Sequence, residues 1–301
     1  QTRGIRLTSS AFTTLAFVTL DAAGDRSFSF ARKPGADTQL RWEEVDRSLI
    51  QRCCLFHFGS LSLTDEPARS ATRTAVAYAR ELGRTVTFDP NLRLPLWPSP
   101  AEARAQILWS LCQADVVKLS DEEVDFLWGC SPQEGARRLL EECGCTVIAI
   151  PCNTSHYFVD RIQQEIGIPI LHMIRETART LVAQGKRRPA ILATDGTIRT
   201  GLYQKECAAF GLEAAPPEPA VQRLVMSIIY EEIKRGERGS REKFAQIDRA
   251  LASMGCDCAI LGCTELSVFR SYHSLPPFYV DAMEVLAELA VVRCGKQLRT
   301  I

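Results

Sequence analysis

The chain has 301 residues, 46% hydrophobic and 24% charged, the balance of a globular protein rather than a disordered one, and long enough for one large domain or two ordinary ones. Thirty-six basic residues offset thirty-six acidic ones, so the broad positive field that drives non-specific nucleic-acid binding is missing. No uninterrupted apolar run is long enough to span a bilayer, and no apolar signal core follows Gln1, so a cytoplasmic fragment or processed chain is expected.

The first quarter reads as β. Thr13 to Leu20 is rich in Thr, Phe, Val and Leu, Ala22 to Asp25 offers a turn, and Arg26 to Phe30 alternates polar and apolar residues, the pattern of a hairpin with an exposed face. Strands then alternate with helical patterns. Strands are expected at Cys54–Phe58, Thr85–Phe88 and Val116–Leu119, and helices at Glu66–Leu82, Ala101–Leu111, Glu122–Trp128 and Pro132–Glu142. The second half repeats this grammar. Its expected strands are Thr146–Ile150, Ile168–Leu171, Pro189–Ala193 and Cys258–Leu261, and Tyr279-Val280-Asp281 leads into the last helix. Its expected helices are Tyr157–Ile166, Ile174–Gln184, Gln222–Arg235, Ser240–Met254 and a last one ending near Gly295. The alternation predicts an α/β protein built on parallel sheets. In such sheets ligands sit outside the carboxyl ends of the strands.

Most of the twelve cysteines lie in or beside apolar strands, as reduced core residues do in a cytosolic protein. Cys143-Gly-Cys145 and Cys256-Asp-Cys258 have C-x-C spacing rather than the C-x2-C of a zinc knuckle, so no metal is expected. Cys152 and Cys263 differ from the rest. Each directly follows an apolar strand and precedes residues that cap a helix, Asn153-Thr154-Ser155 and Thr264-Glu265. Free backbone N–H groups at a helix start stabilise a thiolate, so both positions suit a reactive thiol rather than a buried one. The same groups, with the Asn153, Thr154 and Thr264 side chains, could hold a carboxylate. Two thiols on opposite faces of an amino-acid α-carbon would invert it without a cofactor, one removing the α-proton and the other returning one. A disulfide, or two core cysteines, are the alternatives that the residue pattern leaves open.

Pro151-Cys-Asn-Thr-Ser-His-Tyr157 and Leu261-Gly-Cys-Thr-Glu-Leu266 resemble the two signature motifs of the aspartate/glutamate racemase family. Ile168-Pro-Ile-Leu-His-Met-Ile174, Leu192-Ala-Thr-Asp-Gly-Thr-Ile198 and Tyr230-Glu-Glu-Ile-Lys234 are similar to the segments between them, and the likeness runs from about Cys143 to Val292. It implies that Cys152 and Cys263 are the acid/base pair. It further implies that Asn153, Thr154, Thr194, Thr197 and Thr264 hold the α-carboxylate and amino group, and that Lys234 meets a side-chain carboxylate of aspartate or glutamate. The expected partner is a small amino-acid substrate, with no cofactor, metal, nucleic acid or membrane, and with a homodimer as the assembly to look for. A family racemase opens with its own strand, Gly-rich loop and helix, and with an arginine for the side-chain carboxylate. No counterpart to that opening is found.

Residues from about Thr8 to Glu142 instead resemble a ribokinase-like (PfkB-type) carbohydrate kinase, fructokinase in particular. The resemblance is carried by Thr14-Leu-Ala-Phe-Val-Thr-Leu20, Gly24-Asp-Arg-Ser-Phe-Ser-Phe30, Arg32-Lys-Pro-Gly-Ala-Asp37, Phe88-Asp-Pro-Asn-Leu-Arg93 and Val117-Lys-Leu-Ser-Asp-Glu-Glu123. It implies that the hairpin from Phe17 to Phe30 is a lid over a sugar. Arg32 would line the sugar site, Lys118 and Glu123 the phosphate and magnesium region, and Asp89 and Asn91 would belong to the same remnant. The late Gly-Ala-Gly-Asp stretch that supplies that family's anion hole and base does not occur. Phosphate transfer is therefore not expected, and Asp89 and Asp121 read as turn and cap residues. The expectation is a truncated kinase-like segment over 1–142 with a β lid hairpin, joined to a racemase-like α/β region over 143–301. The kinase strands at 85–88 and 116–119 could complete the racemase sheet.

Overall fold

The computed structural model describes residues 3–20, 26–295 and 297. The chain divides between Gly144 and Cys145 into two compact units.

The first unit opens with strands β1 (Leu15–Leu20) and β2 (Arg26–Ala31), paired antiparallel with Phe17 opposite Ser29. The turn expected between them, at 22–25, lies outside the described residues. Helix α1 (Arg47–Arg52), strand β3 (Leu55–Gly59), helix α2 (Ala68–Glu81), strand β4 (Thr85–Asp89), helix α3 (Pro100–Leu111), strand β5 (Val116–Val117) and helices α4 (Asp121–Trp128) and α5 (Pro132–Cys143) follow. β3, β4 and β5 form a parallel sheet in that order, with Phe58 beside Phe88 and Phe88 beside Val117. Alternation along β4 buries Val86 and Phe88, while Ala71, Ala75, Val76 and Ala79 make the buried stripe of α2. Serines start three of the helices: Ser99, Ser120 and Ser131 accept the backbone N–H of Glu102, Glu123 and Glu134. All four tryptophans, Trp42, Trp97, Trp109 and Trp128, belong to this unit.

The second unit contains β6 (Ile148–Ala149), α6 (Val159–Glu165), β7 (Ile170–Leu171), α7 (Met173–Ala183), β8 (Pro189–Leu192), α8 (Asp195–Arg199), α9 (Leu202–Ala209) and α10 (Pro219–Ser227). It continues with α11 (Arg241–Ser253), β9 (Cys258–Leu261), α12 (Thr264–Tyr272), β10 (Tyr279–Asp281) and α13 (Ala282–Arg293). β6 pairs with β7, and β8, β9 and β10 form a second parallel sheet with β9 in the middle. Every residue of β8 and β9 is buried. Ile191, Ile260 and Val280 pack on one face with Ile174, Leu181, Tyr203 and Leu286, whereas Leu192, Leu261 and Tyr279 pack on the other with Val225, Phe244, Ile247 and Leu251. Period-two alternation thus feeds two cores, one on each face, as a parallel sheet covered on both sides requires. Each fully buried Leu, Ile or Phe adds roughly 1.5–3 kcal/mol.

Three expectations are corrected. The strand at 85–89 pairs with β3 and that at 116–117 with β4, in a sheet of their own that does not extend that of β8 to β10. The helix expected over 222–235 is broken: α10 ends at Ser227, a wide π turn covers Ile228–Glu232, and a 3-10 turn covers Ile233–Arg235. The helix expected from Tyr157 begins as a 3-10 turn, Thr154–Phe158.

Candidate functional site

Cys152 lies just after β6, exposed, at the entry to the 3-10 turn. Its carbonyl accepts a hydrogen bond from Nδ1 of His156 at 2.8 Å, while Nε2 of His156 accepts the backbone N–H of Met173 at 2.9 Å. These two bonds fix the neutral tautomer, with the proton on Nδ1, and pin the Cys152 backbone to the start of α7. Burial holds the His156 pKa below the ordinary histidine value. Asn153 is buried, and its Oδ1 accepts the hydroxyl of Tyr203 at 2.6 Å.

Thr154, Thr194 and Thr197 come together. The hydroxyls of Thr154 and Thr197 bond at 3.0 Å, those of Thr194 and Thr197 at 3.2 Å, and Thr194 caps α8 by accepting the N–H of Thr197. Two mutual bonds use two of the three hydroxyl hydrogens, so the string keeps one donor for a ligand. An open cleft of about 580 Å³ is lined by Asp195, the residue after Thr194, with Gln222, Met226, Tyr230 and Glu231; its lining includes neither the three threonines nor the two cysteines.

Cys263 is the residue before the first turn of α12, at the carboxyl end of β9. It is 8% exposed, which corrects the expectation of an unburied thiol. Its Sγ donates to Oε2 of Glu265 at 2.8 Å, the Thr264 hydroxyl donates to the same oxygen at 2.9 Å, and the Lys234 ammonium lies 3.8 Å from Oε1. Burial first, and then the bond to the anionic Glu265, push the Cys263 thiol up to about 12. The helix start does not offset these, so the group is a proton donor at neutral pH. Burial alone would raise Glu265, but hydrogen bonds from Cys263, its own backbone and Thr264, with Lys234 nearby, hold it below the usual value. Lys234 also lies over the ring of Tyr230, 4.1 Å from its centroid.

Tyr203 links the two cysteine segments, although no motif marks it in the sequence. Its hydroxyl meets the residue after Cys152, while its ring meets the residue before Cys263. A Cβ on Gly262 would stand 3.0 Å from Tyr203 Cε2 and 3.3 Å from the carbonyl of Leu192, so any larger residue would press the ring and the strand end apart by a few tenths of an ångström. Glu265 and His156 also went unassigned, although both stand inside the quoted motifs.

A metal was not expected, yet Asp160, His172 and Glu206 bring ligand atoms within 4.8 Å of one another. Arg175 already spans the two carboxylates, 3.0 Å from Glu206 and 3.2 Å from Asp160, and its backbone N–H engages His172 Nδ1 at 3.2 Å. The guanidinium supplies the positive charge a cation would bring, and an ion would have to displace it.

In the first unit the kinase-like residues gather as a structural bracket and a small charged cluster. Arg32 is buried, its guanidinium donating to Asp37, to Thr64 at 2.7 Å and to the carbonyl of Leu61 at 2.8 Å. Asp89 accepts the N–H of Asn91, which adopts φ of 45°, and lies 3.3 Å from Lys118. Lys118 is 3.9 Å from Glu123, which closes a capping box with Ser120 and accepts the N–H of Leu92. Ser120 rather than Asp121 is the cap of α4.

Residues 118–290 match the family model described as Asp/Glu/hydantoin racemase, and residues 1–150 match that of the pfkB family carbohydrate kinases. The "Probable fructokinase-2" of Arabidopsis thaliana is 50% identical over 127 residues, 42% of this chain and 39% of that protein. The chain thus spans about two fifths of the length of the curated relatives it matches. Among solved structures, a fructokinase from Xylella fastidiosa is 38% identical, covering 44% of this chain and 42% of that one with a TM-score of 0.40. An aspartate racemase homologue from Pyrococcus horikoshii is 27% identical, covering 55% and 73%, with a TM-score of 0.49.

Proposed function

Because the chain belongs to the Asp/Glu/hydantoin racemase family through residues 118–290, we propose that its second unit racemises an acidic amino acid without a cofactor, with Cys152 and Cys263 as the acid/base pair. The observation that carries the reading is the Cys263 thiol hydrogen-bonded to Glu265 with Lys234 beside it. In this mechanism a Cys152 thiolate removes the α-proton, and the carbanion takes a proton on its other face from the Cys263 thiol, which becomes the thiolate. In the reverse direction the Cys263 thiolate removes the α-proton and the Cys152 thiol returns one, while Glu265 accepts the Cys263 hydrogen bond whenever that sulfur is protonated. The free hydroxyl hydrogen of the Thr154, Thr197 and Thr194 string and the Asn153 amide bind the α-carboxylate, and Thr264 adds a hydroxyl beside Cys263. Lys234, 43% exposed at its side chain, exchanges Glu265 for the substrate's distal carboxylate. That placement favours aspartate or glutamate over a neutral amino acid.

The test is deuterium entry at the α-position of aspartate or glutamate in heavy water. Cys152→Ala and Cys263→Ala should each abolish it. Exchange surviving in either variant would sink the two-cysteine mechanism. The likeness of the first unit to fructokinases favours a second reading, a sugar-binding or fructose-phosphorylating segment built around Asp89, Lys118 and Glu123. ADP release with ATP and fructose tests it, and silence in both assays would mark a chain without either activity.

A further inference from the structure

We propose that Tyr203 is a positioning residue that ties the two cysteine segments together and fixes which end of the Asn153 amide meets the substrate. Its catalytic consequence rests on the racemase reading, but the linkage does not. Tyr203 sits in α9, fully buried, and comes from neither motif. Its hydroxyl donates to Asn153 Oδ1 at 2.6 Å, so the amide oxygen is engaged and the NH2 is the end left to donate. A carboxylate needs that end, and a flipped amide would repel it. Beside the hydroxyl, the Cε2 edge of the ring lies against Gly262, where a Cβ would approach to 3.0 Å of the ring and 3.2 Å of Ala193. One rigid side chain therefore spans from the residue after Cys152 to the residue before Cys263. A movement of either segment is felt by the other through a group with few rotamers of its own. Burial pushes the phenol pKa well above its ordinary value, so the hydroxyl stays a donor at any working pH.

The experiment uses the full chain and the variants Tyr203→Phe, Asn153→Ala and the double variant. Tyr203→Phe keeps the ring on Gly262 and removes only the hydroxyl. The first readout is the iodoacetamide labelling rate of Cys152, measured by peptide mass against exposed Cys112 of the first unit. The second is KM and kcat for α-deuterium exchange. Releasing the Asn153 segment should speed Cys152 labelling and raise KM, each by about tenfold, the worth of one hydrogen bond, with a smaller change in kcat. The double variant should go no further than Asn153→Ala alone, since both remove the same bond. A Cys152 labelling rate unchanged in Tyr203→Phe overturns the linkage, as does full additivity in the double variant. Should Tyr203→Phe fail to fold, Asn153→Ala breaks the bond from its other end, and an unchanged labelling rate there is equally fatal. Faster labelling in a chain that exchanges no deuterium keeps the linkage and removes the racemase reading instead.

Discussion

Glu265 receives the Cys263 thiol, and it decides how that thiol behaves. Removing its charge should let Cys263 ionise more easily while taking away the anionic acceptor that orients the thiol. Glu265→Gln should therefore cut racemisation by about 100-fold or more, the typical worth of a positioned acid/base group, as read by deuterium exchange. A variant as fast as the native chain would leave Glu265 a mere cap. The two buried histidines make a separate prediction. Burial lowers His156 and, with the charge of its neighbours, takes His172 down to about 4. The folded chain keeps both neutral where the unfolded chain begins to bind protons, below about 6.5. Stability is complete above that pH and is lost as the pH falls toward 4. Between pH 7 and pH 5 about 1–2 kcal/mol should disappear from the second unit, seen as a lower urea midpoint, and His172→Gln should flatten that fall. At this scale a motif singles out candidates, namely both cysteines, Thr154, Thr194, Thr197 and Lys234, and the structure brings the three threonines together and sets Lys234 beside Glu265. Tyr203 stayed hidden because a tyrosine in an apolar helix is indistinguishable from ordinary core until its hydroxyl is seen to meet Asn153.

Elements with strong local signals were legible. The helices expected over 101–111, 122–128 and 132–142 form as α3, α4 and α5, and β8 and β9 occupy continuous apolar runs. Elements that depend on tertiary support were not. α8 and α9 are short and divided by Gly201, which adopts φ of 64°, so neither holds enough turns for a periodicity to show. The break after Ser227 is invisible because Ile228 to Glu232 has good helix-forming residues, and the wide turn follows from packing. Lys234 lies just beyond that turn. The loop that follows offers a sharp test of packing. Gly239 adopts φ of 82°, and a Cβ there would fall 2.5 Å from a ring carbon of Phe269, which stacks on Phe244. Gly239→Ala combines backbone strain with overpacking and should cost about 2–4 kcal/mol by denaturant titration. A loss below about 0.5 kcal/mol would mean that the Phe244–Phe269 pair yields freely.

The whole molecule carries separate cores in its two units, one around Val86 and Phe88 and two around the sheet of β8 to β10. The two resemblances change over near residue 143 in the sequence, where a helix followed by a strand suits either family; the matched ranges overlap over 118–150, and the compact units divide between Gly144 and Cys145. The pairing of β4 and β5 was not readable, since an apolar run does not say which strand it will join. Separate cores predict separable unfolding. Val86→Ala, at a fully buried position, should lower one transition in circular dichroism by about 2 kcal/mol and leave the other where it was. A single transition moving as one would refute the independence of the cores. The distribution of the indoles adds an optical consequence: since every tryptophan lies ahead of Gly144, red-edge excited emission originates in the kinase-like unit alone. An acidic amino acid held wholly within the racemase-like unit should leave that glow untouched. A quenching or spectral shift on its addition would be the first sign of a message crossing the seam between two ancestries.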